Sequence, residues 1–416
     1  MVSPMLPDGP RAGSLTPMTR TLFSGGRILD GTGAESADAD LVVEDGLIAE
    51  IGPTLDGDDI VDMAGKTILP GLFDCHTHVT FSHIDTMRRI QTPFSYRFYE
   101  ALHNLDATLR IGITTIRDAG GADLGVKQAV SDGLIKGPRM QISLGMISQT
   151  GGHGDGWMPA GVNLRLESHP GVPNTIVDGV DEMRQKVREL VRMGADVIKV
   201  AVSGGVLSPR DKPTHAHFRQ EELDVLVEEA SAAGIWVMAH AQATPGIKNA
   251  IRAGIRSIDH GIYLDDEAIE MMLARGTWLV PTLVAPRGVI AAADAGAAIP
   301  EASVAKAREV AEVHHASFTK AVEAGVKIAM GTDSGVTPHG DNLRELALMV
   351  SGGMSPMDAL VATTRSAAEL MGLDDELGTL EPGKRADLVI VEGDPLDVAT
   401  LGERIAAVYQ DGAQVI

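Results

Sequence analysis

The sequence predicts an α/β protein, a (β/α)8 barrel of the TIM barrel type joined to a small β-sandwich domain built from both chain termini. Apolar runs of strand length alternate with helix-like stretches through the middle of the chain. Both ends instead consist of short strands separated by glycine-containing turns. A length of 416 residues suffices for one barrel and one appended domain.

Composition and charge narrow the classes of function. Hydrophobic residues make up 44% of the chain and charged residues 22%, which is ordinary for a globular protein. The formal net charge of −22 argues against nucleic acid or an anionic membrane as a partner, because either would need a basic face. No apolar run reaches the length of a membrane span, and we expect a small-molecule substrate.

Cysteine usage adds a further limit. Cys75 is the one cysteine in the sequence, so an intrachain disulfide and a thiolate zinc site of the finger type are both excluded. This usage fits a reducing compartment, and we expect a cytoplasmic protein. Strand alternation should point Cys75 away from its histidine neighbours.

The chain divides into three predicted segments. Residues 1–20 are rich in proline and poor in apolar residues, and we expect a disordered tail there. Residues 21–66 and 374–416 each contain short strands and turns, and neither part is long enough to close a core alone. We therefore predict one composite β domain from these two parts, and a barrel over residues 67–373.

The barrel prediction depends on eight apolar runs, with amphipathic stretches such as 180–193, 218–233 and 265–274 between them. The predicted strands are 67–73, 113–117, 140–144, 197–202, 235–239, 257–259, 277–282 and 327–331. An alanine-rich helical stretch, 291–311, follows the seventh strand and could form a lid or an oligomer contact.

Six residues that can bind metal ions lie at or near the carboxyl ends of these strands. They are His76, His78, Lys199, His240, His260 and Asp333. A single histidine at a strand end is usually a hydrogen-bonded loop residue, but six such positions on the catalytic rim of one barrel indicate a metal site. Lys199 lies inside an apolar strand, where an unpaired ammonium is costly, so it must be paired or chemically altered.

With these residues the chain resembles the amidohydrolase superfamily from about residue 20 onward. Within it, the chain is most similar to the branch of imidazolonepropionase and the metal-dependent prolidase-like enzymes (Xaa-Pro dipeptidases and carboxypeptidases). Beyond the six candidate ligands, the motifs that carry the resemblance to this branch are Leu69–His78, Thr114–Gly121, Ile198–Val206, Ile258–Gly261 and Gly331–Ser334.

The resemblance implies two divalent metal ions, for which zinc suits the ligands and manganese or cobalt would also fit. His76, His78 and Asp333 would bind the buried ion, and His240 and His260 the outer one. Lys199, N-carboxylated by CO2, would bridge both ions. A hydroxide shared by the ions would be the nucleophile, and Asp333 would take up its proton and pass it to the leaving nitrogen.

Other residues are candidates for contact with the substrate. His153 lies in a glycine-rich loop and could also stabilise the oxyanion as a second catalytic residue. Arg210 could bind a substrate carboxylate or form an exposed salt bridge. Prolidase-like relatives often have a tyrosine where this chain has Gln242. The further candidates are Ser203, Gly204, Tyr263 and His339, whereas we expect His217 and His314 at the surface.

These features predict a binuclear metal-dependent hydrolase that cleaves an amide bond of an N-acyl amino acid or dipeptide. The absent tyrosine keeps open an alternative, hydrolysis of an aryl amide, carbamate, urea or cyclic amide of the xenobiotic type. A non-catalytic scaffold on the same fold is the third hypothesis, and the six intact ligand positions argue against it. The resemblance also implies a homo-oligomer.

Overall fold

The computed structural model describes residues 20–163, 169–208 and 210–416. The predicted disordered tail lies outside the described residues except for Arg20. This residue is held in place, because its guanidinium donates to Glu44 over 3.1 Å and to Glu50 over 2.6 Å.

Strands and helices alternate through most of the described chain, in agreement with the predicted α/β class. The strands are β1 Thr21–Ser24, β2 Arg27–Ile28, β3 Ala37–Asp38, β4 Asp40–Glu44, β5 Leu47–Gly52, β6 Asp59–Asp62, β7 Lys66–Pro70, β8 Leu72–Thr77, β9 Ile113–Asp118, β10 Arg139–Ile142, β11 Met146–Ile147, β12 Val197–Ala201, β13 Trp236–Ala241, β14 Ser257–His260, β15 Trp278–Val280, β16 Leu388–Glu392, β17 Ile405–Gln410 and β18 Ala413–Gln414. The helices are α1 Thr86–Gln91, α2 Tyr96–Arg110, α3 Leu124–Ser131, α4 Val180–Arg192, α5 Gln220–Ala232, α6 Thr244–Ala253, α7 Asp266–Arg275, α8 Val284–Asp294, α9 Glu301–Ala324, α10 Arg344–Ser351, α11 Pro356–Ala362 and α12 Arg365–Met371.

Two sheets bring the ends of the described chain together. One has the strand order β5-β4-β1-β6, and the other has the order β18-β17-β16-β7-β2-β3. In the second sheet, β16 from the end of the chain pairs antiparallel with β7, placing Leu388 opposite Pro70. Side chains of both sheets share one apolar cluster, in which the rings of Phe23 and Tyr409 meet edge to face at 5.0 Å.

Parallel strands form the rest of the sheet structure. β8, β9 and β10 form one sheet, and β11 to β15 form another. The segment that follows α9 bonds to both: Ala329 donates its backbone N–H to Leu279 of β15, and Cys75 of β8 donates to Met330. The carboxyl ends of the parallel strands consequently lie on a common side.

Two predicted strands differ from the structure. The run 67–73 is two strands, because Gly71 turns away to bond with Asp387 and a Cβ there would collide with Thr114. His76 therefore lies within β8 instead of after it. The run 327–331 is extended but irregular, because the N–H of Met330 bonds to Ala362 and leaves the strand ladder.

Three of the predicted helical stretches agree with observed helices to within two residues. α4, α5 and α7 correspond to the stretches 180–193, 218–233 and 265–274. The alanine-rich stretch is divided between α8 and α9, with Gly296 at φ 91° in the break. Among the described helices, none is both long and apolar enough to cross a membrane.

Candidate active site

A group of histidines surrounds Asp333 on the side where the parallel strands end. The Oδ1 atom of Asp333 lies 3.1 Å from Nε2 of His78 and 3.4 Å from Nε2 of His76. Nδ1 of His78 lies 2.7 Å from the carbonyl oxygen of Gly120. When Nδ1 donates to that carbonyl, Nε2 faces Asp333 and is the atom that would bind a metal ion in place of its proton.

His260 and His240 continue this group across the ends of β14 and β13. One ligand atom each from His76, His260 and Asp333 lie within 4.8 Å of one another, a spacing suited to a bound metal ion. The ring of His240 lies 4.5 Å from that of His260, and His153 stacks on His240 at 4.1 Å. The predicted ligands therefore converge on one side of the parallel strands.

Several residues of this region have left-handed backbone conformations that side chains rarely adopt. The φ angles are 74° at His260, 55° at Thr282, 62° at Asp333 and 64° at Leu144. Thr282 Oγ1 lies 2.7 Å from Nδ1 of His260, so two of these residues hold each other. Strained backbone of this kind costs about 1–3 kcal/mol per residue and concentrates at functional sites, which supports a functional role for this group.

Asp259 is a buried carboxylate that contacts two residues of the candidate site and was not predicted from the sequence. Asp259 accepts a hydrogen bond from Nζ of Lys199 at 2.9 Å and lies 2.9 Å from Nδ1 of His76. The guanidinium of Arg117 approaches the other oxygen of Asp259 at 3.5 Å. Burial opposes the ionisation of Asp259, but the charges of Lys199, His76 and Arg117 hold its pKa well below the usual range. A charged residue within an apolar strand was the available signal.

We expect Asp259→Asn to lower the free energy of unfolding of the metal-free protein by about 3–5 kcal/mol. The substitution leaves the buried cations of Lys199 and Arg117 without their shared anion. Urea unfolding followed by circular dichroism measures the loss. Asp266→Asn is the matched control, because its side chain is 89% exposed beside Lys320. A loss below about 1 kcal/mol would show that Lys199 is uncharged in the folded protein.

Two further buried carboxylates fix the backbone around the histidines. Asp74 accepts from Thr332 Oγ1 at 2.6 Å and from Asn342 Nδ2 at 2.8 Å, which ties β8 to the segment that carries Asp333. Asp118 accepts from the backbone N–H of Val79 at 2.8 Å, next to His78. Neither was predicted, since their partners come from other segments of the chain.

The electrostatics of the group suit metal ligands. Burial and the neighbouring cationic groups lower the pKa values of His240 and His260 well below the usual range, so both imidazoles are neutral at pH 7. Burial opposes ionisation of Asp333, but His76 and His78 hold its pKa well below the usual range. Neutral imidazoles and an ionised carboxylate are the forms that bind a divalent cation, so His240, His260 and Asp333 fit such an ion.

The group opens into a cavity of about 750 Å3. Its floor includes His76, Lys199 and Asp333, and its walls include apolar side chains such as Phe81 and Val289. This size and this mixture of apolar walls with a few polar groups are typical of sites for small molecules.

The predicted substrate contacts occupy different places in the structure. His153 and Gln242 line the cavity. Ser203 and Gly204 lie behind it: Ser203 Oγ accepts from the backbone N–H of Gln242 at 2.8 Å, and the Gly204 carbonyl lies 3.2 Å from Nε2 of His240. They support the lining residues.

Three other predicted contacts lie away from the cavity lining. Arg210 places its guanidinium 5.1 Å over the ring of Trp157. Tyr263 packs against an apolar cluster that includes Ile262. His339 is near the histidines, but its Nε2 faces the carbonyl oxygen of Phe81 at 3.0 Å. Burial lowers the pKa of His339 to about 4, and it acts as a neutral donor to the loop that follows β8.

Two histidines expected at the surface are buried. His314 is 1% exposed, and its Nε2 lies 2.8 Å from the carbonyl oxygen of His260. His217 is 4% exposed. Burial lowers the pKa of both to about 4. The surface prediction was wrong because α9 packs His314 against the end of β14, a contact that helical periodicity alone does not show.

Comparison with known proteins places this site in context. The model of the amidohydrolase family matches residues 67–415. The ochratoxinase of Aspergillus niger is 36% identical over 399 residues, which cover 91% of this chain and 82% of that protein. The imidazolonepropionase of Paracoccus denitrificans is 27% identical over 398 residues, with 84% and 86% covered. A crystal structure of a Xaa-Pro dipeptidase with bound methionine in the active site superposes with a TM-score of 0.87 at 33% identity, covering 95% of this chain and 99% of that one.

Fold, site and relatives together define a hydrolase that acts on C–N bonds. The chain belongs to the amidohydrolase family. The resemblance drawn from the sequence motifs is thereby confirmed, including its imidazolonepropionase and prolidase-like branch.

Proposed function

We propose that the protein hydrolyses the amide bond of an N-acyl amino acid or a dipeptide with two divalent metal ions, which we assign as zinc. The observation that carries this proposal is the arrangement of ligands in one cavity. His76, His78, Lys199, His240, His260 and Asp333 all line it, with Asp333 beside His78 and the ring of His240 beside that of His260. His76, His78 and Asp333 would hold one ion, and His240 and His260 the second.

The proposal includes a closed (β/α)8 barrel as the frame of the site. Backbone hydrogen bonds support closure at both seams between the parallel sheets. Asp196 donates to Ile142 at 2.9 Å on one side, and Asp333 donates to His76 at 2.7 Å on the other. Such a frame directs side chains from separate strands to one rim.

We further propose that Lys199 is N-carboxylated and bridges the two ions. Its amine lines the cavity although the residue is only 1% exposed. The ammonium first loses one proton to give the amine, and the amine then forms an N–C bond with CO2 and releases a second proton. The nitrogen keeps one hydrogen, which can still donate to Asp259. The product would be an anion at the site that would hold the two cations, and the cost of a buried ammonium would be removed.

When bound, the metal ions would supply Lewis acidity and lower the pKa of water at the site. The residues of the chain complete the chemistry. The Asp333 carboxylate accepts a proton from the attacking water and delivers it to the leaving nitrogen as the C–N bond breaks. His153, stacked on His240 at the cavity wall, can donate to the carbonyl oxygen as negative charge develops there.

Two observations support an N-acyl amino acid or a dipeptide as the substrate. Among the relatives, the Xaa-Pro dipeptidase structure holds an amino acid, methionine, in its active site. In this chain, cationic side chains line the cavity together with Phe81 and Leu144, which suits an apolar amino acid with a free carboxylate. The alternative, an aryl amide, carbamate, urea or cyclic amide, is favoured by Gln242, which lines the cavity where prolidase-like relatives often have a tyrosine.

A substrate screen separates the two classes. The zinc-loaded enzyme is assayed with N-acyl amino acids and dipeptides on one side, and with aryl amides and carbamates on the other. We expect a higher kcat/KM for compounds that carry a free carboxylate. A consistent preference for compounds without a carboxylate would establish the alternative.

Metal content tests the binuclear centre. We expect close to two metal ions per chain, by elemental analysis of protein purified without chelators, because six side chains that can bind metal ions line one cavity. Dialysis against a strong chelator should remove both the metal and the activity, and added zinc should restore them. A content below about half an ion per chain would contradict the binuclear site.

We also propose that the enzyme is a homo-oligomer. Large apolar side chains are exposed on α1, at the start of α2 and between the two helices, among them Met87, Ile90, Phe94 and Tyr99. An apolar patch of this kind on a protein surface commonly marks a protein contact. Light scattering after gel filtration measures the assembly directly.

A further inference from the structure

Two arginines line the cavity without a partner for their charge. Arg89 of α1 and Arg97 of α2 both belong to the cavity lining. Within the described part of the chain, neither guanidinium forms an ion pair or a hydrogen bond. The adjacent Glu100 forms its ion pair, at 3.7 Å, with the exposed Arg88 instead.

Both arginines are stacked on aromatic rings instead. The guanidinium of Arg89 lies 4.7 Å over the ring of Phe81, and that of Arg97 lies 5.2 Å over the ring of Phe94. Stacking of this kind holds a guanidinium in place and leaves its N–H groups free to donate. Burial lowers the pKa of Arg89, and burial together with the charge of Arg89 lowers the pKa of Arg97 to about 10. The two cations thus lie close enough to repel each other.

A third donor faces the same cavity. His169 accepts the backbone N–H of Gly171 on its Nδ1 atom at 3.2 Å, so its hydrogen lies on Nε2. That Nε2 atom is buried, and it has no partner among the described residues. The ring of His169 meets Phe94 at 5.0 Å, which places it beside Arg97. A buried donor without an acceptor points to a ligand atom that is to be bound.

These donors are close to the metal-ligand group. Phe81 contacts His78 on one side, with ring centroids 5.6 Å apart, and Arg89 on the other. The carboxylates of the cavity lining are Asp333 and Asp155, and Asp155 is already occupied by the backbone N–H groups of Gly151 and Trp157. Among the described residues of the cavity lining, no carboxylate therefore pairs with Arg89 or Arg97.

We propose that Arg89 and Arg97, assisted by the Nε2–H of His169, bind the carboxylate of the substrate's amino-acid part. This inference rests on the proposed function and assigns its specificity to residues outside the strand ends. A substrate whose amide lies at the His–Asp group would extend past Phe81, and its carboxylate would meet the two guanidinium groups. Arginine suits this role because its planar N–H groups match a carboxylate.

The test compares two probes that differ in one charge. N-acetyl-L-phenylalanine carries a carboxylate, and N-acetyl-L-phenylalaninamide is its neutral counterpart. Steady-state hydrolysis of both is measured with the wild-type enzyme, Arg89→Gln, Arg97→Gln and the double variant. Arg88→Gln is the matched control, because Arg88 lies on the same helix but does not line the cavity.

We expect the wild-type enzyme to prefer the acid by about tenfold or more in kcat/KM. Each substitution at Arg89 or Arg97 should raise KM for the acid about tenfold, with kcat changed less than about twofold, because the interaction holds the substrate equally before and during reaction. The amide should be unaffected, and Arg88→Gln should behave as the wild type does. Equal losses on acid and amide, or no loss, would overturn the proposal.

A binding measurement distinguishes failure of the carboxylate site from failure of the proposed hydrolase function. If neither probe is hydrolysed, the hydrolase proposal fails for N-acyl amino acids, and calorimetric titration of the same probes decides the role of the arginines. Tighter binding of the acid to the wild type, lost in the double variant, supports the carboxylate site. Equal binding of acid and amide, or no binding of either, overturns it.

Discussion

Replacing Asp333 by asparagine should reduce kcat/KM by at least about 1,000-fold and leave the fold intact. The amide of asparagine keeps the size of the side chain but cannot take up a proton from water. Asparagine also tolerates the left-handed backbone of this position, where φ is 62°. Steady-state kinetics on the best substrate of the screen and circular dichroism together check this result.

The control for this substitution is Asp45→Asn. Asp45 is an exposed residue of the turn between β4 and β5, has a similar φ of 51°, and does not line the cavity. It should retain wild-type activity. If Asp333→Asn kept more than about a tenth of the activity, another group would have to handle the proton, and His153 would be the first candidate.

Replacing Lys199 by alanine should lower the bound metal to below about half an ion per chain and abolish turnover. The substitution removes the proposed bridge between the two ions, and in the metal-free protein it also removes a cation that Asp259 contacts at 2.9 Å. Elemental analysis measures the metal and steady-state kinetics the activity. Short carboxylic acids such as acetate or propionate should restore part of both, because they can occupy the place of the missing carbamate.

Lys127→Ala provides the comparison for this experiment. Lys127 forms a partly exposed ion pair with Asp196 at 2.6 Å, away from the cavity lining, so its loss should change neither metal content nor rate. A Lys199→Ala protein that keeps two ions and its activity would contradict the bridging role. If carboxylic acids restored neither metal nor activity, the result would argue against a carbamate on Lys199 in particular.

Much of the fold could be predicted because it follows from local patterns. Alternating apolar strands and amphipathic helices give the α/β class, and α4, α5 and α7 agree with their predicted ranges to within two residues. The strand break at Gly71 could not be seen in the same way. It depends on a contact with Asp387, more than three hundred residues later in the chain.

The candidate active site was likewise only partly predictable from local sequence patterns. His76, His78, His240, His260 and Asp333 could be found because each follows or ends an apolar run, and parallel strands bring such ends together. Arg89, Arg97 and His169 could not be found this way. They belong to α1, α2 and a loop, where only the packing of these elements over the cavity gives their side chains a common direction.

The sequence by itself determined the α/β class, the candidate metal ligands and, through its motifs, the amidohydrolase family. These properties are encoded in spacing and residue type, which a single strand or loop displays on its own. The tertiary structure decided which charges face each other: Asp259 pairs with Lys199, His314 faces the carbonyl oxygen of His260, and Arg89 and Arg97 line the cavity without an ion pair among the described residues. Charge pairing and burial depend on which surfaces meet when distant segments of the chain pack together. A local sequence pattern does not contain this information.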